Sequence, residues 1–130
     1  MDILGMGTSI VECSRIREMI ERHGERFLQR VYTPAEIRWC QSRRDASEQF
    51  AATWATKEAA FKALNLKPGN QAGWALVEVD HRSHPNRVLL RGDLAEHFSQ
   101  EGREVLITSM AYSRQFATST VLVIRKEVRY

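Results

Sequence analysis

Two hydrophobic periods divide this chain. Residues 3–7 (Ile3-Leu4-Gly5-Met6-Gly7) read as a short apolar strand, and its two glycines predict a tight approach of backbone to another element. From Cys13 to His23 the apolar residues Cys13, Ile16, Met19 and Ile20 recur at helical spacing, with Gly24 as the stop. Thr33-Pro34-Ala35-Glu36 is a capping box with proline at the first helical position, so a second helix begins at Pro34. A third, long helix is predicted from about Ser47 to Leu64, over the alanine-rich AATWATKEAAFKAL. The glycines and proline of NLKPGNQAG (65–73) break it.

Beyond that point the period becomes that of strands, at 74–79 (WALVEV), 87–91 (RVLLR), 104–110 (EVLITSM) and 118–124 (TSTVLVI). A short helix over 93–100 (DLAEHFSQ) interrupts them. The resulting β-α-α-α-β-β-α-β-β order predicts one α+β domain over 1–130, an antiparallel sheet packed by one long and several short helices.

Composition adds mainly exclusions. Hydrophobic residues at 43% and charged residues at 27% describe an ordinary globular chain. No apolar run reaches the roughly 18 residues of a membrane span. The opening MDILGMGTSIVE lacks the basic region and cleavage site of a signal peptide, so a cytoplasmic address is expected. Cys13 and Cys40, far apart in sequence, are then expected to be reduced, packed thiols.

Charge changes the picture more. The net charge is only +3, but Arg15, Arg17, Arg22, Arg26, Arg30, Arg38, Arg43 and Arg44 cluster with no lysine among them. One reading is a solvated face balanced by Glu18, Glu21 and Glu25. The other is a docking surface for an acidic partner, since the guanidinium fork suits carboxylates and phosphates. Nucleic acid ranks low among such partners, because no aromatic residues interleave with the basic ones in a recognisable motif.

Candidate chemistry lies in two places. Trp54, Glu58 and Lys62, spaced i, i+4 and i+8, share one face of the long helix. By spacing alone Glu58 and Lys62 are an ordinary helix pair. The segment Gly5-Met6-Gly7-Thr8-Ser9-Ile10-Val11-Glu12 reads as a glycine-rich hand-over from strand to helix, of the kind that brings backbone close to phosphates.

Three collinear blocks, GMGTSIVE (5–12), RIREMIERHGERFLQRVYTPAEI (15–37) and WATKEAAFKAL (54–64), resemble the holo-[acyl-carrier-protein] synthase family, the small type of the 4′-phosphopantetheinyl transferases. Trp74 ahead of VEV and the closing TSMAYSRQFATSTVLVI fit it more loosely. The resemblance implies that family's α+β fold, assembly as a homotrimer, and transfer of 4′-phosphopantetheine from coenzyme A to a serine of an acyl carrier protein, in fatty acid or polyketide biosynthesis. It implies Mg2+ bridging the coenzyme A diphosphate; Mn2+ is a second candidate ion for this chain. Glu58 matches the family's metal-binding glutamate and Lys62 its phosphate-facing lysine. Arg15, Met19, Arg22, Arg26, Phe27 and Arg30 match the surface that grips the carrier protein.

The family's metal-binding aspartate is here Ser9. Thr53 stands where an arginine is common, Asn65-Leu66-Lys67 replaces Gly-Thr-Gly, and Ser109-Met110-Ala111-Tyr112 replaces Ser-x-Ser-His. Lys67 is a candidate to replace a lost phosphate contact. Two readings follow: a transferase with a weakened metal site, or a carrier-protein and coenzyme A binder that has lost transfer.

Overall fold

In a computed structural model, residues 1–69, 73–82, 87–99 and 102–125 are described. Strand β1 (Asp2–Glu12) is followed by helices α1 (Cys13–His23), α2 (Glu25–Val31), α3 (Pro34–Gln41) and α4 (Ala46–Ala63). A 3₁₀ turn (Trp74–Leu76) leads into β2 (Val77–Asp80) and β3 (Arg87–Leu90). Then come α5 (Gly92–Ser99), β4 (Arg103–Tyr112) and β5 (Phe116–Arg125). The strands form one antiparallel sheet in the order β1-β5-β4-β3-β2, so the first strand pairs with the last. The α+β expectation holds.

The largest departure from expectation concerns β1. It does not stop at Gly7 and open into a phosphate loop; it pairs with β5 as far as Glu12↔Phe116. The glycines serve helix packing. A Cβ on Gly5 would lie 2.1 Å from the carbonyl oxygen of Ala63, and one on Gly7 would lie 2.0 Å from that of Ala59. The close approach is therefore to α4. Its alanines at 51, 52, 55, 59, 60 and 63 are all buried, so the helix is enclosed on most sides and shows little amphipathic pattern.

Other differences are smaller. Helix α2 was not expected as a separate element. With seven residues it is too short to show periodicity, and Gly24, at φ 54°, turns the chain between α1 and α2. Residues 74–76 form a 3₁₀ turn and not strand. The end of the predicted helix at residue 100, and residues 70–72 of the predicted break, lie outside the described residues.

Two apolar clusters hold the layers together. One gathers α1, α2 and α3 against the first half of α4, around Ile16, Leu28, Tyr32 and Phe50. The other places the second half of α4 on the sheet, around Phe61, Val77, Val105 and Val121. Cys13 and Cys40 are free and fully buried, and burial pushes the Cys40 thiol up to about 12. Both thus behave as packed apolar groups.

Candidate functional site

Along β1 the side chains alternate between faces, and the odd positions Gly7, Ser9 and Val11 are buried. Ser9 thereby points at α4. Its Oγ donates to Glu58 Oε1 at 2.6 Å, and its own exposure is only 4%. One turn along the helix, Lys62 places Nζ 3.5 Å from the same Oε1 and donates to the Thr8 carbonyl oxygen at 3.0 Å. The structure thus brings Ser9, Glu58 and Lys62 into one constellation on the β1–α4 seam. The Glu58 side chain keeps 28% of its surface exposed and that of Lys62 54%, so both face solvent.

A second hydroxyl borders this seam. Ser119 is the cross-strand partner of Ser9, it is 1% exposed, and its Oγ has no hydrogen-bond partner among the described residues. Directly opposed residues on one face sit about 5 Å apart. A buried hydroxyl without a partner calls for a water or another ligand oxygen.

For a divalent cation this donor set is lean. It offers one carboxylate, the Ser9 hydroxyl beside it, and the Ser119 hydroxyl to hold a coordinated water. No group of three His, Cys, Asp or Glu side chains is found among the described residues. Magnesium is commonly held through one or two carboxylates together with substrate phosphates and water. The residues fit a one-carboxylate site that a phosphate-bearing ligand completes.

One turn before Glu58, Trp54 stacks on Trp74 with ring centroids 5.7 Å apart. These two rings border a groove of about 600 Å³ lined by Arg15, Met19, His23, Arg26, Phe27 and Arg30, with Ile16 and Val31. Five of the six expected carrier-binding residues therefore surround one cavity. Phe27 belongs more to the core than to the surface: it is 8% exposed and meets Tyr32 edge-on. Arg22 lies exposed on α1 and is absent from the groove lining. Lys67 is exposed four residues beyond the end of α4, in the connection to β2.

Several groups that matter here left no local signal. Lys57, next to Glu58, is fully buried and donates to Glu36 Oε1 at 2.6 Å. The same Glu36 accepts from the Thr33 amide, closing the capping box, and from the Val79 amide of β2. One carboxylate thereby ties α3, α4 and β2 together beside the site. The box itself was legible; its partner lies 21 residues away, beyond any helical period. Burial pushes the Glu36 carboxyl up and the Lys57 ammonium down, each opposed by the other's charge.

Thr53 is completely buried and hydrogen-bonds His81 Nε2 at 3.2 Å. His81 stacks on Trp39, and the Arg43 guanidinium lies 3.9 Å from that indole ring's centroid. The threonine thus belongs to the junction of α3, α4 and β2.

A sequence model of the 4′-phosphopantetheinyl transferase superfamily matches residues 5–119. A holo-[acyl-carrier-protein] synthase from Chlamydia pneumoniae is 37% identical over 124 residues, covering 95% of this chain and 99% of that protein. One from Koribacter versatilis is 41% identical over 123 residues, covering 93% and 98%. The chain belongs to the holo-[acyl-carrier-protein] synthase family. Among solved structures, the Helicobacter pylori holo-[acyl-carrier-protein] synthase in complex with coenzyme A matches with a TM-score of 0.78. It is 25% identical, over 92% of this chain and 99% of that one. Within this family, the constellation of Ser9, Glu58 and Lys62 falls on the motif positions that the sequence resemblance assigns to metal and phosphate.

Proposed function

We propose that this chain transfers 4′-phosphopantetheine from coenzyme A to a serine of an apo acyl carrier protein, with Glu58 and Lys62 at the reacting centre. The observation that carries this reading is the convergence of Ser9, Glu58 and Lys62 one helical turn from an arginine-rimmed groove. In the reaction the carrier's serine oxygen attacks the phosphorus that bears pantetheine. The bond from that phosphorus to the bridging diphosphate oxygen breaks, and adenosine 3′,5′-bisphosphate leaves. Glu58, whose carboxylate reaches solvent, is placed to take the serine proton. Lys62 offers its ammonium to phosphate oxygens, where charge develops. A Mg2+ or Mn2+ ion held by Glu58, with Ser9 beside it, would neutralise diphosphate charge when bound.

The groove supports a carrier protein as the second substrate. Its rim carries Arg15, Arg26 and Arg30, and its floor carries Met19, Phe27, Trp54 and Trp74. Cationic forks around an apolar floor suit an acidic helix that presents an apolar side chain. We place Arg22 on the same helix as a peripheral contact and Lys67 as a contact for the nucleotide. No described helix is long and apolar enough to cross a membrane, and we place the enzyme in the cytoplasm, in fatty acid or polyketide biosynthesis. The open face of β1, where Met6 is 68% and Ile10 66% exposed, supports association with further copies as a homotrimer.

One observation favours a second reading, that the chain binds carrier and coenzyme A without transfer: Ser9 is neutral where the family resemblance expects a carboxylate. An intact-mass assay with apo carrier protein, coenzyme A and a magnesium series decides between the two. Addition of one phosphopantetheine per carrier is the expected result. Unchanged carrier at saturating magnesium, with carrier binding intact, would leave only the binding module.

A further inference from the structure

The two polar groups that meet Glu58 Oε1 among the described residues, Ser9 and Lys62, both compete with a metal ion. The Ser9 hydroxyl donates to Oε1 at 2.6 Å, in the range of hydroxyl bonds to an ionised carboxylate. The Lys62 ammonium stands 3.5 Å from the same oxygen. A divalent cation at Oε1 must displace the serine proton and accept an ammonium as its neighbour. One carboxylate matched by one ammonium presents it with no net charge.

Phosphate reverses each of these terms. Lys62 is half-exposed and gains a better partner in the incoming oxygens, which releases Oε1. The diphosphate brings its own negative charge and its own metal ligands. The Ser9 hydroxyl can then turn its lone pairs toward the ion or toward the ion's water.

We infer that Glu58 is a conditional metal ligand in this chain, recruiting a divalent cation only together with the diphosphate of coenzyme A, with Ser9 as the positioning residue that sets the condition. The inference rests on reading the seam as a coenzyme A site. Metal and coenzyme A should therefore raise each other's affinity by the same factor, because coupling between two sites is reciprocal.

The test uses the full chain and Mn2+ as probe, with the free aquo-ion followed by electron paramagnetic resonance. Wild-type protein alone is expected to leave the free Mn2+ signal essentially unchanged. Adding coenzyme A should lower it at least about tenfold more effectively than coenzyme A without protein, the scale at which neighbours of a ligand alter metal affinity. Adenosine 3′,5′-bisphosphate, which lacks the diphosphate, should not substitute. Ser9→Asp should bind Mn2+ without coenzyme A, at least about tenfold more tightly than wild type does alone. Uptake by wild-type protein alone as tight as uptake with coenzyme A overturns the inference, and so does an aspartate variant that still needs coenzyme A. If Ser9→Asp does not fold, the wild-type comparison decides by itself. Calorimetry of coenzyme A binding separates the two levels: no binding with or without Mn2+ removes the coenzyme A reading, whereas binding alongside unconditional metal uptake removes only the condition.

Discussion

Lys57 Nζ and Glu36 Oε1 stand 2.6 Å apart with no exposed surface on either side chain. The pair occupies the residue next to Glu58 and the N-terminus of α3, so it fixes the helix that carries Glu58. Glu36 satisfies three donors, from Lys57, Thr33 and Val79. Removing the cation leaves a buried carboxylate whose remaining donors are two amides.

Lys57→Met is therefore expected to lower stability by about 3–5 kcal/mol near neutral pH, read from urea unfolding. Its pH dependence supplies the sharper check. Burial already holds the Glu36 carboxyl above its ordinary 4.5, and loss of Lys57 raises it further. A carboxyl raised in the folded state costs stability as pH climbs from its unfolded value toward the folded one. The variant should thus lose more stability than its parent as pH rises above the ordinary 4.5 of the carboxyl. Parallel pH profiles would contradict the assignment of the charge to Glu36.

Gly7→Ala tests the seam itself. The added Cβ would meet the Ala59 carbonyl oxygen at 2.0 Å and the Ala63 nitrogen at 2.8 Å, and backbone atoms cannot step aside as a flexible side chain can. Overpacking of this kind costs about 1–3 kcal/mol, and more where the neighbour cannot yield. Thermal unfolding should show the loss, and any folded fraction should bind Mn2+ and coenzyme A poorly, since Ser9 and Glu58 are held together by that contact. Near wild-type stability would mean that β1 and α4 are farther apart than described.

Much of this architecture is legible in the sequence, and the misses share a cause. The start of α3 was legible because its capping box is local, with Thr33 and Glu36 three residues apart. Helix α4 was legible because alanine favours helix whatever it packs against. Helix α2 was not, being a seven-residue segment without room for a period. Gly5 and Gly7 announced a close backbone approach, but its partner, a helix backbone more than 50 residues away, left no local signal, and the loop read beyond them is strand. Glu58 and Lys62 could be nominated from one helix face. The Ser9–Glu58 bond spans 49 residues and the Glu36–Lys57 pair spans 21, and only the fold closes such distances.

His81 gives a prediction at acid pH. Burial, with some help from Arg43, holds its imidazole down to about 4 against an ordinary 6.5, while Asp80 acts the other way. A base depressed in the folded state contributes stability above its unfolded value, and that contribution is lost as pH falls toward the folded one. Wild-type protein should lose on the order of 2 kcal/mol between about pH 6.5 and about pH 4 from this group. His81→Phe, which keeps a ring to stack on Trp39, should flatten that part of the unfolding profile. A profile of unchanged slope would show that His81 does not titrate in this window.

The arginine rim makes a prediction about partner binding and salt. Arg26 and Arg30 are exposed on α2 and line the groove, so Arg26→Glu or Arg30→Glu changes the partner's surface without touching Glu58. Each is expected to weaken binding of apo carrier protein by about tenfold at low ionic strength, and by less in high salt. Coenzyme A affinity should stay at the wild-type value. Equal weakening of both ligands would place these arginines at the nucleotide instead of the carrier.

The side of the sheet away from α4 carries exposed apolar residues. Gly7, Ser9 and Val11 face α4, so Met6, Thr8 and Ile10 of β1 lie on the opposite face, where Met6 pairs with Leu122 and Ile10 with Thr118. Phe116, partner of Glu12, is 45% exposed on β5. Apolar side chains this open, on an edge strand, are what a second copy would cover. Replacing Met6 and Ile10 together by lysine adds two charges per chain at such a contact while leaving the α4 face untouched. Sedimentation velocity should find the parent as a trimer and the double variant as the 15.0 kDa monomer. The monomer should remain folded, because the substituted side chains point away from both apolar clusters. A parent that sediments as a monomer at every concentration would mean that this face serves another partner.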